Sequence, residues 1–252
     1  MALLARVSVA YYTRLERGNL KGVSEPVLDA LARALQLDDA ERAHLFDLAR
    51  AAHTTSSVSR RPTRHQVRPS VQRILDAMTA APAYVRNGRG DVLAANQLGH
   101  ALYSELYEHP ARPVNTARFV FLDPHAPDFF VDWDRVASEV VAVLRSEAGR
   151  DPHDRGLSEL VGELSLQSAQ FRTRWAAHNV RFHDKGIKHF HDPPSCDLTL
   201  TFETMKLTAD TGLTMAVYTA EPGSKSEEAL NLLASWTATP DPAQAANAPD
   251  RA

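Results

Sequence analysis

Residues 198–220, LTLTFETMKLTADTGLTMAVYTA, carry the strongest secondary-structure signal in the chain. Apolar and polar residues alternate over residues 198–202, and a period of two is typical of a strand with one buried face. Asp210, Thr211 and Gly212 then provide the residue types of a tight turn before a second strand-like run. The segment therefore predicts two antiparallel strands of a sheet that packs one face on a core.

The residues on either side of this hairpin extend the pattern. Ser224 and Glu227 form a capping box at the start of a predicted helix with the sequence ALNLLASW. The preceding stretch, RFHDKGIKHFH, is strand-like and is predicted to turn at Gly186. The Ala- and Pro-rich residues 238–252 are predicted to be disordered.

A second hairpin is predicted near the start of the same part of the chain. The runs AYVRN at 83–87 and DVLAAN at 91–96 are strand-like, and the glycines of GRG between them suit a tight turn. Asn96 is the predicted N-cap of the next helix, and residues 115–178 are helical and rich in aromatic side chains. Because strand, glycine turn, strand and capped helix open the PAS sensor architecture, we predict an α+β, PAS-like domain with an antiparallel sheet.

The first 53 residues predict an all-α head. One helix begins at the N-cap Ser24, and the next begins at a capping box formed by Asp38 and Glu41. Upstream, a short helix over about residues 1–6 is followed by a tight turn and by a helix that begins after Ser8. Two short helices joined in this way predict a helix-turn-helix, whose second helix enters the major groove of DNA.

The charge of the chain is unevenly distributed. The whole chain of 252 residues has a formal net charge of −3. Residues 1–70 contain 11 Lys/Arg and 7 Asp/Glu, whereas residues 71–252 contain 17 and 24. Much of the basic excess lies in residues 54–69, which we interpret as a Ser- and Pro-rich linker, either fully solvated or also in contact with DNA phosphate. The arginines in question are Arg60, Arg61, Arg64 and Arg68.

Other features of the composition indicate the class of protein. Hydrophobic residues make up 44% of the chain, which is enough for a core and excludes a wholly disordered chain. No stretch has the length of about 18 apolar residues that a membrane span requires, and the N-terminus lacks the organisation of a signal peptide. A single cysteine, Cys196, cannot form an internal disulfide, so a reducing cytoplasm is predicted.

The head resembles the helix-turn-helix of bacterial Xre-type regulators, in particular those fused to an MmyB-like ligand-binding domain. The runs YYTRLERG, VLDALARAL and DDAERAHLF carry this resemblance, which covers residues 2–52. The family's head begins with a further helix and a half, so the resemblance implies either that the start codon is placed too late or that the head is N-terminally truncated. In such a head Leu3, Leu4, Tyr12 and Leu15 are expected to lose part of their apolar cover.

The resemblance also implies a set of DNA-binding residues. The helix after Ser8 corresponds to the recognition helix, with Arg14 able to form a bidentate contact with guanine. Residues beyond it are expected to contact the DNA backbone. The full predicted set is Ser8, Val9, Ala10, Tyr11, Thr13, Arg14, Arg17, Asn19 and Lys21.

Residues 70–237 resemble the MmyB-like ligand-binding domain. The stretches ARFVFLDPHAPDFFVDWDRVA, FRTRWAAHNVRFHDKGIKHFHDP, LTLTFETMKL and LTMAVYTAEPGSKSEEALNLLASW carry this resemblance, while HDPPSC at 191–196 departs from the family pattern. The resemblance implies a PAS-like fold that holds an apolar small molecule such as a fatty acid. Apolar walls and a few polar groups suit such a ligand. The predicted residues are Tyr84, Leu93, Asn96, Phe119, Phe121, Phe130, Trp133, Trp175, His178, Arg181 and Val217.

These features together predict a ligand-sensing transcription regulator rather than an enzyme. It is expected to bind double-stranded operator DNA as a homodimer and to need no cofactor. One alternative is a truncated sensor or dimerisation partner that does not bind DNA. A less favoured alternative is an enzyme whose metal is bound by histidines such as His189 and His191, although no HExxH motif or paired cysteine supports it.

Overall fold

The computed structural model describes residues 2–20, 22–53, 66–108, 113–177, 185–191 and 197–238. The chain divides into two compact units. The first combines Met1–Thr63 with Ala137–His183, and the second combines Arg64–Val136 with Asp184–Ala252. The units therefore group the predicted head with helices from the middle of the chain, a pairing that local sequence patterns do not indicate.

The first unit is helical in its described part. Its head consists of α1 (Val9–Glu16), α2 (Glu25–Leu35) and α3 (Asp39–His53). The unit also contains α10 (Arg155–Gln167), α11 (Ala169–Ala176) and all but the first turn of α9 (Trp133–Arg150). The head core contains buried side chains of all three of its helices, of the turn before α1 and of the segment between α1 and α2. These are Ala5, Leu15, Val23, Leu28, Leu31 and Ala49.

The second unit is built around a five-stranded antiparallel sheet with the order β2-β1-β5-β4-β3. This topology confirms the predicted fold class, an all-α head followed by an α+β domain. The strands are β1 (Ala83–Asn87), β2 (Val92–Ala95), β3 (Lys185–Phe190), β4 (Leu198–Lys206) and β5 (Leu213–Thr219). The helices of this unit, apart from the start of α9, are α4 (Pro69–Ala77), α5 (Gln97–Leu102), α6 (Ser104–Glu108), α7 (Thr116–Leu122), α8 (Ala126–Phe129) and α12 (Lys225–Ala238).

Both edge strands of the sheet have partners outside the ladder. Along β2, the N–H of Val92 donates to the carbonyl of Val114 over 2.8 Å. Along β3, the N–H of His191 donates to the carbonyl of Phe129 over 2.9 Å, and the Arg135 guanidinium donates to the carbonyl of Ile187 over 2.5 Å. Backbone groups that an edge strand would otherwise expose are thus partly satisfied within the domain.

Most of the predicted local signals are confirmed. The Ser8 hydroxyl accepts a hydrogen bond from the N–H of Tyr11, and Asp38 and Glu41 form the reciprocal bonds of a capping box over 2.8 and 3.0 Å. Ser24 occupies its N-cap position, but its side chain makes no capping bond. The predicted disordered tail lies outside the described residues, apart from Ala238 in the last turn of α12.

The predicted helix over residues 1–6 is wrong in its described part, because residues 2–6 form a turn. The N–H of Val7 donates to the carbonyl of Ala2, the N–H of Arg6 donates to that of Leu3, and Arg6 has a φ of +54°. This is the Schellman pattern that ends a helix. Leu3 is 89% exposed, whereas Leu15 is buried.

The predicted turn at Gly186 is also wrong, since β3 runs through this residue without interruption. Gly186 lies opposite Phe202 on β4, and a Cβ added at Gly186 would lie 3.1 Å from the Phe202 ring. The glycine leaves space for the Phe202 ring of the neighbouring strand. It is therefore explained by packing and not by a turn.

A buried polar network holds the β1–β2 turn against the start of α7. The carboxylate of Asp91 accepts hydrogen bonds from the amides of Asn87 and Asn115, each over 2.8 Å. The carbonyl oxygen of the Asn115 side chain accepts from the N–H groups of Ala117 and Arg118 at the first turn of α7. Asn87, Asp91 and Asn115 are all buried, so each bond replaces a lost bond to water.

We expect the substitution Asn115→Ala to destabilise the sheet domain by about 2–3 kcal/mol, because it leaves a buried carboxylate oxygen and two backbone N–H groups without partners. Asn231→Ala, at an exposed position of α12, is the control and should change stability by less than about 0.5 kcal/mol. Chemical denaturation followed by circular dichroism would measure both. Equal midpoints for the two variants would contradict a stabilising role for this network.

Candidate functional site

One side of α1, including its start, is exposed. Ser8, Val9, Ala10 and Arg14 are exposed, and Val9 has 69% of its surface accessible. Leu15, on the opposite side of the helix, is buried in the head core. The helix N-terminus also offers backbone N–H groups, which favour an anion such as a phosphate.

The remaining predicted DNA-binding residues lie in several environments. Arg17 and Asn19 are exposed, and Thr13 is half-buried. Tyr11 packs partly against the head core, and the Arg14 guanidinium carbon lies 4.8 Å from the centre of its ring. This stacking holds the arginine side chain against the helix. Lys21 lies outside the described residues.

The last arginine of the linker has a partner within the protein. The Nε of Arg68 donates to a carboxylate oxygen of Asp210 over 2.7 Å, and only 9% of the Asp210 side chain is accessible. Arg68 is the N-cap residue of α4, so the ion pair ties the start of this helix to the β4–β5 turn. Arg68 is therefore engaged in the fold, whereas Arg60, Arg61 and Arg64 lie outside the described residues.

Three tyrosine hydroxyl groups meet in the interior of the sheet domain. The hydroxyl oxygen of Tyr218 lies 2.7 Å from that of Tyr103 and 3.5 Å from that of Tyr84. All three side chains are buried. Burial, together with the neighbouring tyrosines, raises the pKa of Tyr218 well above its usual value of 10, so the group is a neutral hydrogen-bond donor and acceptor.

Phenylalanine rings surround this hydroxyl cluster. Tyr103 contacts Phe129 and Phe190, each with ring centres 5.7 Å apart, and Phe119 contacts Phe129 and Phe130. Small-molecule sites are lined mainly by apolar and aromatic side chains with a few polar groups that orient the ligand, and these residues are of those types. We call the following residues the aromatic cluster: Tyr84, Tyr103, Phe119, Phe129, Phe130, Phe190, Phe202 and Tyr218.

A lysine lies beside the aromatic cluster. The ammonium nitrogen of Lys188 is 5.0 Å from the centre of the Phe202 ring and 5.9 Å from that of Phe130. Lys188 pairs with Leu200 across β3 and β4, so its side chain shares a face of the sheet with Phe190 and Phe202. The arrangement places a positive charge next to two rings of the aromatic cluster.

Several predicted ligand-binding residues lie away from this cluster. Val217 packs with α4 on the opposite face of the sheet from Tyr218, and Leu93 packs against the same α4 side. The Asn96 side chain accepts from the N–H groups of Ala83 and Gly99 and donates to two carbonyls, so its hydrogen bonds are used within the fold.

The predicted tryptophans are also separate from the hydroxyl cluster. Trp133 contacts Phe121, with ring centres 6.1 Å apart, and donates to the carbonyl of Val120. Trp175 stacks on Phe171 in the first compact unit. Tyr84, Phe119 and Phe130 are the predicted residues that the structure brings together. His178 and Arg181 lie outside the described residues.

The histidines considered for a metal site have other partners. His189 bonds to the Thr199 hydroxyl over 3.0 Å, and His191 bonds to the Asp197 carboxylate over 2.6 Å. Within the described ranges, no three His, Cys, Asp or Glu side chains are grouped so that they could hold a metal ion. Cys196 falls in the gap at 192–196.

Sequence reasoning missed Tyr103, Tyr218 and Lys188. Tyr218 is adjacent to the predicted Val217, and the choice between them depends on which face of β5 meets the helices. Tyr84 pairs with Ala216, so Tyr84 and Tyr218 lie on the same face of the sheet. Knowledge of the strand register would therefore have identified Tyr218. No local pattern in the sequence indicates Tyr103, because its position depends on how α5, the helix that it follows, packs against the sheet.

Two family models match the chain. The model described as the MmyB-like transcription regulator ligand binding domain matches residues 67–233, and a helix-turn-helix domain model matches residues 1–45. No curated protein sequence matches the chain. Within the described ranges, none of the helices is both long and apolar enough to cross a membrane. Because the first match covers most of the chain and the second covers the head, the protein belongs to the MmyB-like transcription regulators and is a ligand-sensing, DNA-binding regulator with a helix-turn-helix head.

Proposed function

We propose that the protein is an Xre-type regulator that binds operator DNA as a homodimer in the bacterial cytoplasm and is controlled by an apolar small molecule such as a fatty acid. The observation that carries the DNA-binding part is the exposed side of α1, which presents Arg14, together with the capped start of this helix at Ser8. The ligand part is supported by the buried tyrosine hydroxyls inside the aromatic cluster.

In this proposal α1 is the recognition helix. Arg14 reaches the edge of a guanine, and the N–H groups after Ser8 face a phosphate. Arg17 and Asn19, which are exposed beyond the helix, contact the neighbouring backbone. The formal charge of residues 1–53 is balanced, with 7 Lys/Arg and 7 Asp/Glu, so DNA affinity depends on where these groups lie. The family match points to a transcription regulator rather than to an enzyme.

We expect Arg14→Ala to weaken binding to the DNA immediately upstream of the protein's own gene by about 10-fold or more, since a bidentate contact to guanine contributes about 1–3 kcal/mol. The control is Arg73→Ala, which removes the same charge from an exposed position of α4. Electrophoretic mobility shifts at two salt concentrations would measure both variants. If both variants lose DNA binding equally, or if neither loses it, α1 is not the recognition helix.

The homodimer predicts a symmetric footprint. Two recognition helices that enter successive major grooves on one side of the DNA require half-sites about 10 base pairs apart, or a multiple of that distance. Hydroxyl-radical footprinting on the upstream fragment should show two protected regions with this spacing. A single protected region would instead indicate a monomer on DNA.

For the ligand, we propose that the hydrocarbon chain lies among the rings of the aromatic cluster and that the carboxylate is bound near Lys188. The position of the ammonium group beside Phe130 and Phe202 supports this orientation. A carboxylate that entered the apolar interior would need a charged or hydrogen-bonding partner, because burial of an isolated charge is costly. The tyrosine hydroxyls and Lys188 are groups of that kind.

We expect Lys188→Met to weaken binding of a saturated 16-carbon fatty acid by about 10-fold, because a charge-assisted hydrogen bond contributes about 1.5–3 kcal/mol. Binding of the methyl ester of the same acid should not change, since the ester carries no charge. Lys185→Met, at an exposed position of the same strand, is the matched control. Isothermal titration calorimetry would measure all three, and equal losses for acid and ester would contradict the proposed orientation.

A further inference from the structure

A glycine on α9 accommodates a histidine from the head. Gly149 is buried within α9, and the imidazole of His44 from α3 occupies the space next to it. A Cβ added at Gly149 would lie 2.6 Å from Nδ1 of His44 and closer still to its Cε1, which is nearer than real carbon atoms approach. The imidazole therefore fits into a recess that exists only because residue 149 lacks a side chain.

The environment of His44 favours a neutral ring. Burial first, and the neighbouring Arg145 second, lower the pKa of His44, while Asp47 acts in the opposite direction. The Nδ1 atom of His44 is buried and has no hydrogen-bond partner within the described part of the chain. His44 thus contacts α9 mainly through packing of an uncharged ring.

Arg145 connects this contact to α11. It lies four residues before Gly149, so both residues are on one face of α9. The Arg145 guanidinium lies 4.5 Å from the centre of the Trp175 ring and donates to the Trp175 carbonyl, and Trp175 stacks on Phe171. The part of α9 that receives His44 is therefore also the part fixed to α11.

On the head side, α3 is firmly joined to the other helices. Leu45, Phe46 and Ala49 of α3 pack in the same core as Leu15 of α1. Arg42 of α3 also forms an ion pair with Asp29 of α2 over 2.6 Å. A displacement of α3 at His44 would therefore reach α1 through packed side chains.

We propose that the contact of His44 with Gly149 is the docking point by which α9 of the ligand-binding domain fixes the DNA-binding head. His44 lies within the helix-turn-helix match and Gly149 within the ligand-binding match, yet both belong to the first compact unit. The regulatory consequence rests on the proposed function: a ligand that shifts α9 or α11 changes how the head is held. A ligand acts in this way only if it binds the docked and undocked states with different affinities.

Hydrogen exchange of the full-length chain tests the docking point without DNA or ligand. Gly149→Leu should increase the exchange rate of α3 amides at least tenfold, because the new side chain displaces His44. The control is Gly162→Leu on α10, where an added Cβ meets no atom within 4 Å, and it should leave α3 unchanged. In the double variant His44→Ala/Gly149→Leu the smaller residue makes room, so α3 exchange should return toward the rate of His44→Ala alone.

The outcomes separate this inference from the proposed function. Equal α3 exchange in the two leucine variants, or a double variant in which Gly149→Leu still raises α3 exchange far above that of His44→Ala alone, would overturn the docking point even if the wild-type protein binds DNA. Failure of the wild-type protein to bind DNA would instead refute the proposed function and leave the exchange result intact. Where DNA binding is present, Gly149→Leu should change operator affinity at least fivefold and Gly162→Leu should not. Unchanged affinity in both variants would overturn the role of the contact in control.

Discussion

The side-chain amide of Asn96 joins the sheet to the helices that cover it. It accepts hydrogen bonds from the N–H groups of Ala83 at the start of β1 and Gly99 in α5, and it donates to the carbonyls of Met78 and Ala81. One buried amide thus fixes the end of α4, the first residue of β1 and the start of α5 relative to one another. Tyr103 follows α5 directly, so the position of its hydroxyl next to Tyr218 depends on this junction. The backbones of α5 and β1 also approach each other closely at this junction, since a Cβ at Gly99 would collide with the carbonyl of Ala83.

The sequence predicts those parts of the fold that short-range chemistry determines. The capping box of Asp38 and Glu41, the Asn96 cap and the glycine turns between strands are all read from a few adjacent residues, and all are present. Gly186 shows the limit of this reasoning. A glycine is required there because the Phe202 ring on the neighbouring strand occupies the space of a side chain, and short-range sequence patterns do not reveal this contact. Trp175 shows it again: an aromatic residue in a helix has the same local appearance whether it faces a ligand or supports an arginine.

The fold shows that one arginine of the basic linker is part of the sheet domain. Counted along the chain, Arg68 belongs to a basic linker, but in the fold it is paired with a mostly buried carboxylate of Asp210. The arginine therefore contributes to the stability of the sheet domain, where a partly buried pair is less screened by salt than a surface pair. The excess of acidic over basic residues after residue 70 is thus partly offset by a cation from the linker. Net charge per segment is consequently a poor guide to which arginines DNA can reach.

The partners of the two edge strands restrict how copies of the domain can associate. Val92 on β2 and residues adjoining β3 already exchange backbone hydrogen bonds with neighbouring segments of their own chain. A second copy that added a strand at either edge would first have to break these bonds, which offsets part of what the new strand pairing would gain. Joining two sheets into one continuous ladder therefore carries a cost that self-association through helix surfaces does not. The same arrangement protects the regulator against the strand-by-strand growth that leads to aggregation.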